Sequence, residues 1–245
     1  MNAESIDLSA EGLRRRAAKY AALADPARLA IVDALWVSDL SPSELQARLG
    51  ISSNLLAHHL RSLEGEEIVT RSRSEGDRRR TYLRLVRQSL EGVVPPGAIP
   101  ATDLGGGRVV FVCTANTARS QMAAALWERC SPVPVESAGT NPGERVDARA
   151  VAAASRHGLS IRGRRPQSVQ DVWATDDVLV TVCDSAHEEL STPTTAHWSI
   201  PDPVRLGTDG AFDAAFEDLT QRVTHLAAHL PHHRPSSDQT PGVSP

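Results

Sequence analysis

A chain of 245 residues, with 40% hydrophobic and 23% charged residues and a net charge of −4, has room for one large or two small folded units of ordinary globular composition. Nothing approaches the ~20 consecutive apolar residues of a membrane span. The first residues, MNAESIDLSAEGLRRR, lack the apolar core and cleavage site of a secretory signal, so a cytoplasmic location and no membrane partner are expected.

Charge is divided unevenly. Residues 1–87 carry 14 basic against 12 acidic side chains and residues 88–245 carry 12 against 18, which suggests two units with different work. In the first unit, apolar residues recur at helical spacing through Leu23, Leu29, Ile31, Val32 and Leu35, and again from Leu45 to Leu63, with Asp25-Pro26 and Ser41-Pro42 as start signals. Gly50 should close one helix and Ser52 or Ser53 should cap the next. EEIVTRSRSEGDRRRTYLRLV then alternates on either side of Ser74 to Asp77, a hairpin with a glycine turn. The sum is a winged helix-turn-helix over 1–87. Ser53, Asn54, Ala57, His58 and Arg61 would face a DNA major groove, and Arg71, Arg73, Arg78, Arg79 and Arg80 would meet phosphates. The plainer alternative is a solvated helical hairpin with an arginine-rich loop. His58 and His59 are adjacent and point apart on a helix, so they read as groove or core residues and no metal site is expected.

Residues 88–107 gather Pro95, Pro96, Gly97, Pro100 and three glycines, which is linker chemistry. From 108 to 230, RVVFVC, VPVESAG and DDVLVTVC are runs of strand length, each leading to a turn, and helices are expected at Ser120–Cys130, Asp147–His157 and Phe212–Leu230. This is a small α/β unit with a parallel sheet of about four strands. The tail 231–245, rich in proline and serine, should be disordered.

Three cysteines, Cys113, Cys130 and Cys183, show no C-x-x-C spacing and form no disulfide framework, leaving thiol chemistry. The sharpest motif is VFVCTANTARSQMA: a buried strand ending at Cys113, a five-residue loop, then Arg119-Ser120 opening a helix. Such a loop, Thr114, Ala115, Asn116, Thr117 and Ala118, aims its N–H groups at one centre and the helix dipole adds positive potential, so a tetrahedral oxyanion can sit there. Cys113 would lie beneath as nucleophile, with the loop favouring negative charge on its sulfur. Arg119 offers a planar fork to two oxygens, Ser120 can donate to the sulfur, and Asn116 tolerates a left-handed turn. HWSIPDPVR sets Asp202 in a proline-stiffened loop, where it could serve as proton donor or be an ordinary turn. Cys130 falls about twelve residues into the helix, roughly 18 Å from the motif, and reads as core.

Residues 14–87 resemble the ArsR family of winged-helix repressors, in DPARLAIVDAL, LLAHHLRSLEGEEIV and RRRTYLRL. That resemblance implies operator DNA binding as a homodimer. Members that sense arsenite carry paired cysteines before the helix-turn-helix, where this chain has WVSDLS. Residues 107–230 resemble the low-molecular-weight protein-tyrosine phosphatase superfamily through Cys-x5-Arg-Ser, Ser137–Thr140, DDVLVTVCD and Asp202-Pro203, and within it the arsenate reductases through ARSQMA, TVCDSAHEE and HWSIPDP. The resemblance implies Cys113 as nucleophile, Arg119 and residues 114–118 as the oxyanion cradle, and Asp202 as general acid.

It also implies arsenate or a phosphate-like oxyanion as substrate, no bound cofactor, and an external reductant: thioredoxin, a glutaredoxin-like protein or a small thiol. Cys183 matches the second redox cysteine of thioredoxin-linked reductases, but the third, seven residues on, is Leu190 here. Cys183 is then either the resolving thiol or a buried strand residue. Ala115 stands where many members have glycine. Two other readings remain: a tyrosine phosphatase with a DNA-binding module, for which Trp173 and Trp198 could wall the phenyl ring, and a repressor that senses oxyanion or redox state without turnover.

Overall fold

The computed structural model describes residues 9–93 and 107–229. The first module opens with α1 (Ala10–Leu23), α2 (Pro26–Val37), α3 (Pro42–Leu49) and α4 (Ser53–Gly65). The start signals act as read. Asp25 and Ser41 cap α2 and α3, each with proline in the first turn, and Ser41 with Glu44 forms a reciprocal capping box. Gly50, at φ 65°, ends α3 in the left-handed region, and Ser52 is the residue that caps α4. Leu45, Leu56, Leu60 and Leu63 pack inward against Ile31 and Leu35. β1 (Val69–Arg73) and β2 (Thr81–Leu85) pair antiparallel as the wing.

The packed module continues past residue 87. A 3-10 turn at Arg87–Leu90 buries Leu90, Val93 follows it into the same core, and Lys19 Nζ donates to the Ser89 carbonyl at 2.8 Å. Residues 88–93, expected as linker, therefore belong to the fold, because two apolar side chains there find a core. The rest of the expected linker and the expected disordered tail lie outside the described residues.

The second module is a four-stranded parallel sheet in the order β4-β3-β5-β6, built from β3 (Val109–Cys113), β4 (Val135–Gly139), β5 (Val178–Thr181) and β6 (Ala196–His197). Every residue of β3 and β5 is buried, as a sheet covered on both faces requires. α5 (Arg119–Cys130), α6 (Ala148–Arg156) and the long α10 (Asp209–His229) cover it, with short helices α7 (Val169–Val172), α8 (Asp184–Glu189) and α9 (Pro203–Leu206) in the connections. Trp127, Phe111, Trp198, Phe212 and Phe216 fill the core. The strands end at one carboxyl edge, where a doubly wound sheet places its site.

The two modules pack directly on one another. The α2–α3 connection lies against the edge strand β6: Asp39 N donates to the His197 carbonyl at 2.7 Å, His197 N to Ser38 Oγ at 2.9 Å, and Trp198 Nε1 to the Val37 carbonyl at 3.0 Å. Arg222 of α10 and Asp39, both almost wholly buried, form an ion pair at 3.0 Å, while Asp218 accepts from Arg84 and from Arg222. Burial opposes the charge of Arg222, but Asp39 and Asp218 hold its pKa above the ordinary guanidinium value. Among the described residues no helix is long and apolar enough to cross a membrane.

Candidate active site

Cys113 ends β3 and the loop of residues 114–118 leads into α5. The loop is pinned from outside. Thr140, Asn141, Gly143 and Asp147 donate their backbone N–H groups to the carbonyls of Cys113, Thr114, Ala115 and Thr117 at 2.8–3.1 Å. With its carbonyls engaged outward, the loop has its N–H groups left for the interior. Asn116 sits at φ 54°, in the left-handed conformation foreseen for it, whereas Ala115 is not among the positive-φ residues and carries no strain for lacking glycine. Gly139 is needed beside the loop, since a Cβ there would lie 2.6 Å from the Thr114 carbonyl oxygen.

Beneath the loop, Asn116 N donates to Cys113 Sγ at 3.2 Å, and Ser120 Oγ lies 3.1 Å from the same sulfur. Ser120 accepts from Asn116 Nδ2 at 2.8 Å, which leaves its own proton for the sulfur. Asn116 Oδ1 accepts from Gln167 N and Gln121 Nε2. The arrangement holds the Cys113 sulfur between Asn116 N and Ser120 Oγ at the base of the loop.

Arg119 is buried, donates to the Ile200 carbonyl at 2.8 Å and lies 3.4 Å from Asp202 Oδ1. Burial works against its charge, but Cys183, Cys113, Asp202 and Glu75 around it hold its pKa above the usual value. Asp202 caps α9 and accepts from Val204 N, so the proline-bounded loop does present its carboxylate to the site.

Cys183 lies two residues beyond β5, as the N-cap of α8, with its sulfur 3.5 Å from Thr114 Oγ1. Burial pushes its thiol pKa up, Arg119 pulls the other way, and negative charge on Cys113 adds to the rise. Cys113, Arg119, Cys183 and Asp202 line one cavity of about 290 Å³. Among the described residues no aromatic side chain lines it: Trp198 is buried and donates to the Val37 carbonyl, and Trp173 lines a separate cavity with Leu190. Cys130, expected in the core, is instead exposed. It is the last residue of α5, and its thiol donates to the Trp127 carbonyl of the same turn at 3.7 Å.

Sequence reasoning passed over the wing's share of this cavity. Glu75, read as a turn residue, also lines it. Its carboxylate accepts from Asp202 N at 2.8 Å and Arg205 Nη2 at 2.6 Å and lies 3.8 Å from Arg119. Asp184 and Ser185 complete the wall. No signal in a Ser-Glu-Gly-Asp turn distinguishes such a residue. On the first module, Ser53, Asn54, Ala57, His58 and Arg61 share the exposed face of α4, and His59 turns inward to lie 3.7 Å from Asp25. Arg71, Arg73, Arg78, Arg79 and Arg80 are exposed on the wing, Arg71 pairing with Glu64 and Arg79 with Asp77.

A cysteine that ends a buried strand, under a loop that opens a helix and faced by an arginine and a carboxylate, stands at the carboxyl edge of a small parallel α/β fold. Residues 108–236, more than half the chain, match the model of the low molecular weight phosphotyrosine protein phosphatase family, and the chain belongs to that family. Residues 29–81 match the MarR family, a different family of winged-helix regulators from the ArsR family that the sequence resembles. Similar solved structures include an arsenate reductase from Archaeoglobus fulgidus DSM 4304, 33% identical, covering 49% of this chain and 99% of that one with a TM-score of 0.45. Another is the tyrosine phosphatase Wzb from Escherichia coli K30 in complex with sulphate, 25% identical, covering 49% and 96% with a TM-score of 0.44. A YwlE mutant from Bacillus subtilis is 20% identical, covering 50% and 97% with a TM-score of 0.45.

Proposed function

We propose that this chain is a thiol-dependent arsenate reductase joined to a DNA-binding transcriptional regulator of the arsenic-resistance type. The observation that carries the reading is the second thiol, since Cys183 and Cys113 open on one cavity under one arginine. In this chemistry the Cys113 thiolate attacks As(V), Arg119 and the 114–118 loop hold the oxyanion, and Asp202 protonates the oxygen that departs as water. Cys183 then attacks the Cys113 sulfur. The S–As bond breaks, its electron pair stays with arsenic as arsenite, and a Cys113–Cys183 disulfide takes up the oxidation. An external cytoplasmic dithiol or small thiol reduces that disulfide and closes the cycle.

The lack of aromatic walls among the described residues favours a small inorganic oxyanion over a phosphotyrosyl side chain. On the DNA side, the exposed face of α4 with Ser53, Asn54, His58 and Arg61 would read an operator and the wing arginines would meet its phosphates, in the homodimer that the ArsR resemblance implies. Arsenite release by the purified chain with arsenate and a thiol donor tests the enzyme reading. Turnover should require Cys113, and in Cys183→Ser a single-turnover adduct should form without completing the cycle. Hydrolysis of an aryl phosphate with no arsenite release would make the domain a phosphatase and overturn it.

A further inference from the structure

The tip of the wing is docked on the catalytic module. Ser74 Oγ and Tyr82 Oη donate to Glu188 Oε1 at 2.7 and 3.0 Å, Asp77 N donates to Glu188 Oε2 at 2.6 Å, and Glu75 N donates to Asp184 Oδ2 at 2.8 Å. The fit is close: a Cβ on Gly76 would stand 2.5 Å from Glu188 Oε2 and 3.1 Å from Ser185 Cα. These contacts deliver one carboxylate, that of Glu75, into the wall of the oxyanion cavity, where it holds the Asp202–Arg205 loop from Asp202 N and Arg205 and faces Arg119. A residue of the DNA-binding module thus completes the catalytic site.

Electrostatics gives this placement a consequence. A tetrahedral oxyanion bound above Cys113 brings one or two negative charges into a cavity lined by the carboxylates of Glu75, Asp184 and Asp202 against the guanidinium groups of Arg119, which is buried, and Arg205, which is exposed and pairs with Glu75. Like charges a few ångströms apart, partly shielded from water, repel one another far more than they would in bulk solvent. Asp202 can relieve its share by taking the proton it must donate. Glu75 has no such part in the chemistry and sits on a hairpin turn anchored chiefly by hydrogen bonds, so moving away is the easier relief.

We propose that Glu75 is a positioning and specificity-determining residue of the oxyanion site, supplied by the wing, and that filling the site with an oxyanion drives its carboxylate out and loosens the wing tip. The inference rests on the oxyanion reading of the Cys113 loop. In the empty site Glu75 stands in for the anion beside Arg119 and keeps the Asp202 loop closed. A compact inorganic oxyanion needs only the carboxylate to withdraw, whereas a bulky phosphoester needs the whole tip to leave.

Inorganic phosphate, an oxyanion that cannot be reduced, is the probe. Its affinity is measured by calorimetry for the full-length protein, Glu75→Gln and Glu188→Gln, and amide hydrogen exchange across residues 74–80 is followed with and without it. Glu75→Gln keeps the shape and removes the charge, and should bind phosphate roughly tenfold more tightly. Glu188→Gln weakens tip docking outside the cavity and should tighten binding in the same direction. In the unaltered protein, phosphate should speed exchange of the Glu75 and Asp77 amides severalfold. Equal affinities in all three proteins, or unchanged exchange at saturating phosphate, overturns the inference while phosphate binding leaves the oxyanion reading standing. Absence of phosphate binding in every one of them overturns both.

Discussion

Replacing Asn116 tests how the anion loop is held. Its side chain is fully buried, gives one hydrogen bond to Ser120 and accepts two, from Gln167 N and Gln121 Nε2, while its backbone sits at φ 54°. Alanine removes all three bonds, of which that to the Gln167 N–H is only part-buried, a loss of about 1 kcal/mol for each. An ordinary side chain in the left-handed region adds about 1–2 kcal/mol. Asn116→Ala should therefore lower stability by about 4 kcal/mol. Asn116→Gly loses the same bonds but escapes the strain, offset by about 0.4–1 kcal/mol because glycine frees the unfolded chain. Glycine should come out more stable than alanine by about 0.5–1 kcal/mol, and both should turn over arsenate poorly because the donor to Ser120 is gone. Urea unfolding followed by tryptophan fluorescence gives the two differences. An alanine variant within about 1 kcal/mol of the unaltered protein would refute the anchoring argument, and a glycine variant less stable than alanine would refute the strain argument.

Asp39→Asn breaks the buried pair with Arg222 and should cost about 3–5 kcal/mol by leaving a guanidinium under-compensated; because the pair spans both modules, unfolding should split into two transitions, and one unshifted transition would count against it. Gly139→Ala forces a methyl toward the Thr114 carbonyl 2.6 Å away, so it should displace the loop and cut turnover far more than it lowers the melting temperature. For pH, burial first, and the charge of His187 stacked 4.1 Å away, hold His197 below its ordinary value of 6.5, against the pull of Asp184 and Asp39. The unfolded chain then takes up a proton near pH 6.5 that the folded chain refuses until lower pH, so stability is complete above that value and falls as pH drops below it. The urea midpoint should decline between about pH 7 and pH 5.5, and His197→Gln should lose that part of the slope; identical slopes would dispose of it.

The elements were legible where local chemistry decides them. Proline after Asp25 and Ser41, Gly50 past α3, and the all-apolar β3 and β5 each fix a boundary by capping, backbone freedom or burial. The shape of the Cys113-to-Ser120 run was legible for the same reason, since strand end, loop and helix start are contiguous. Long-range pairing was not. Nothing in Glu75, Asp39 or Glu188 by itself says that each meets a side chain or backbone more than a hundred residues away, and the eye stops at Pro95 and Pro96 without seeing that Leu90 and Val93 find a core first. Cys130 was misplaced because helical periodicity does not say that the last residue of a helix escapes the packing its earlier turns share.

The docked wing also bears on how the two modules of the chain would be coupled. With Ser74 buried and Glu75 and Asp77 half-buried, the wing is fixed at its tip, yet Arg71, Arg73, Arg78, Arg79 and Arg80 all stay exposed. A wing held in that pose is pre-organised for phosphate contacts, and one loosened by an oxyanion must pay the ordering entropy when it meets DNA, about 0.5–1.5 kcal/mol for each side chain immobilised. The face of α4 is untouched by the change, so base reading should persist while affinity falls. Phosphate at constant ionic strength should therefore weaken binding to the chain's own operator by roughly two- to tenfold. The effect should vanish in Arg119→Ala, which cannot hold the anion. Undiminished DNA binding at saturating phosphate would separate the two modules functionally, leaving the wing tip as packing alone.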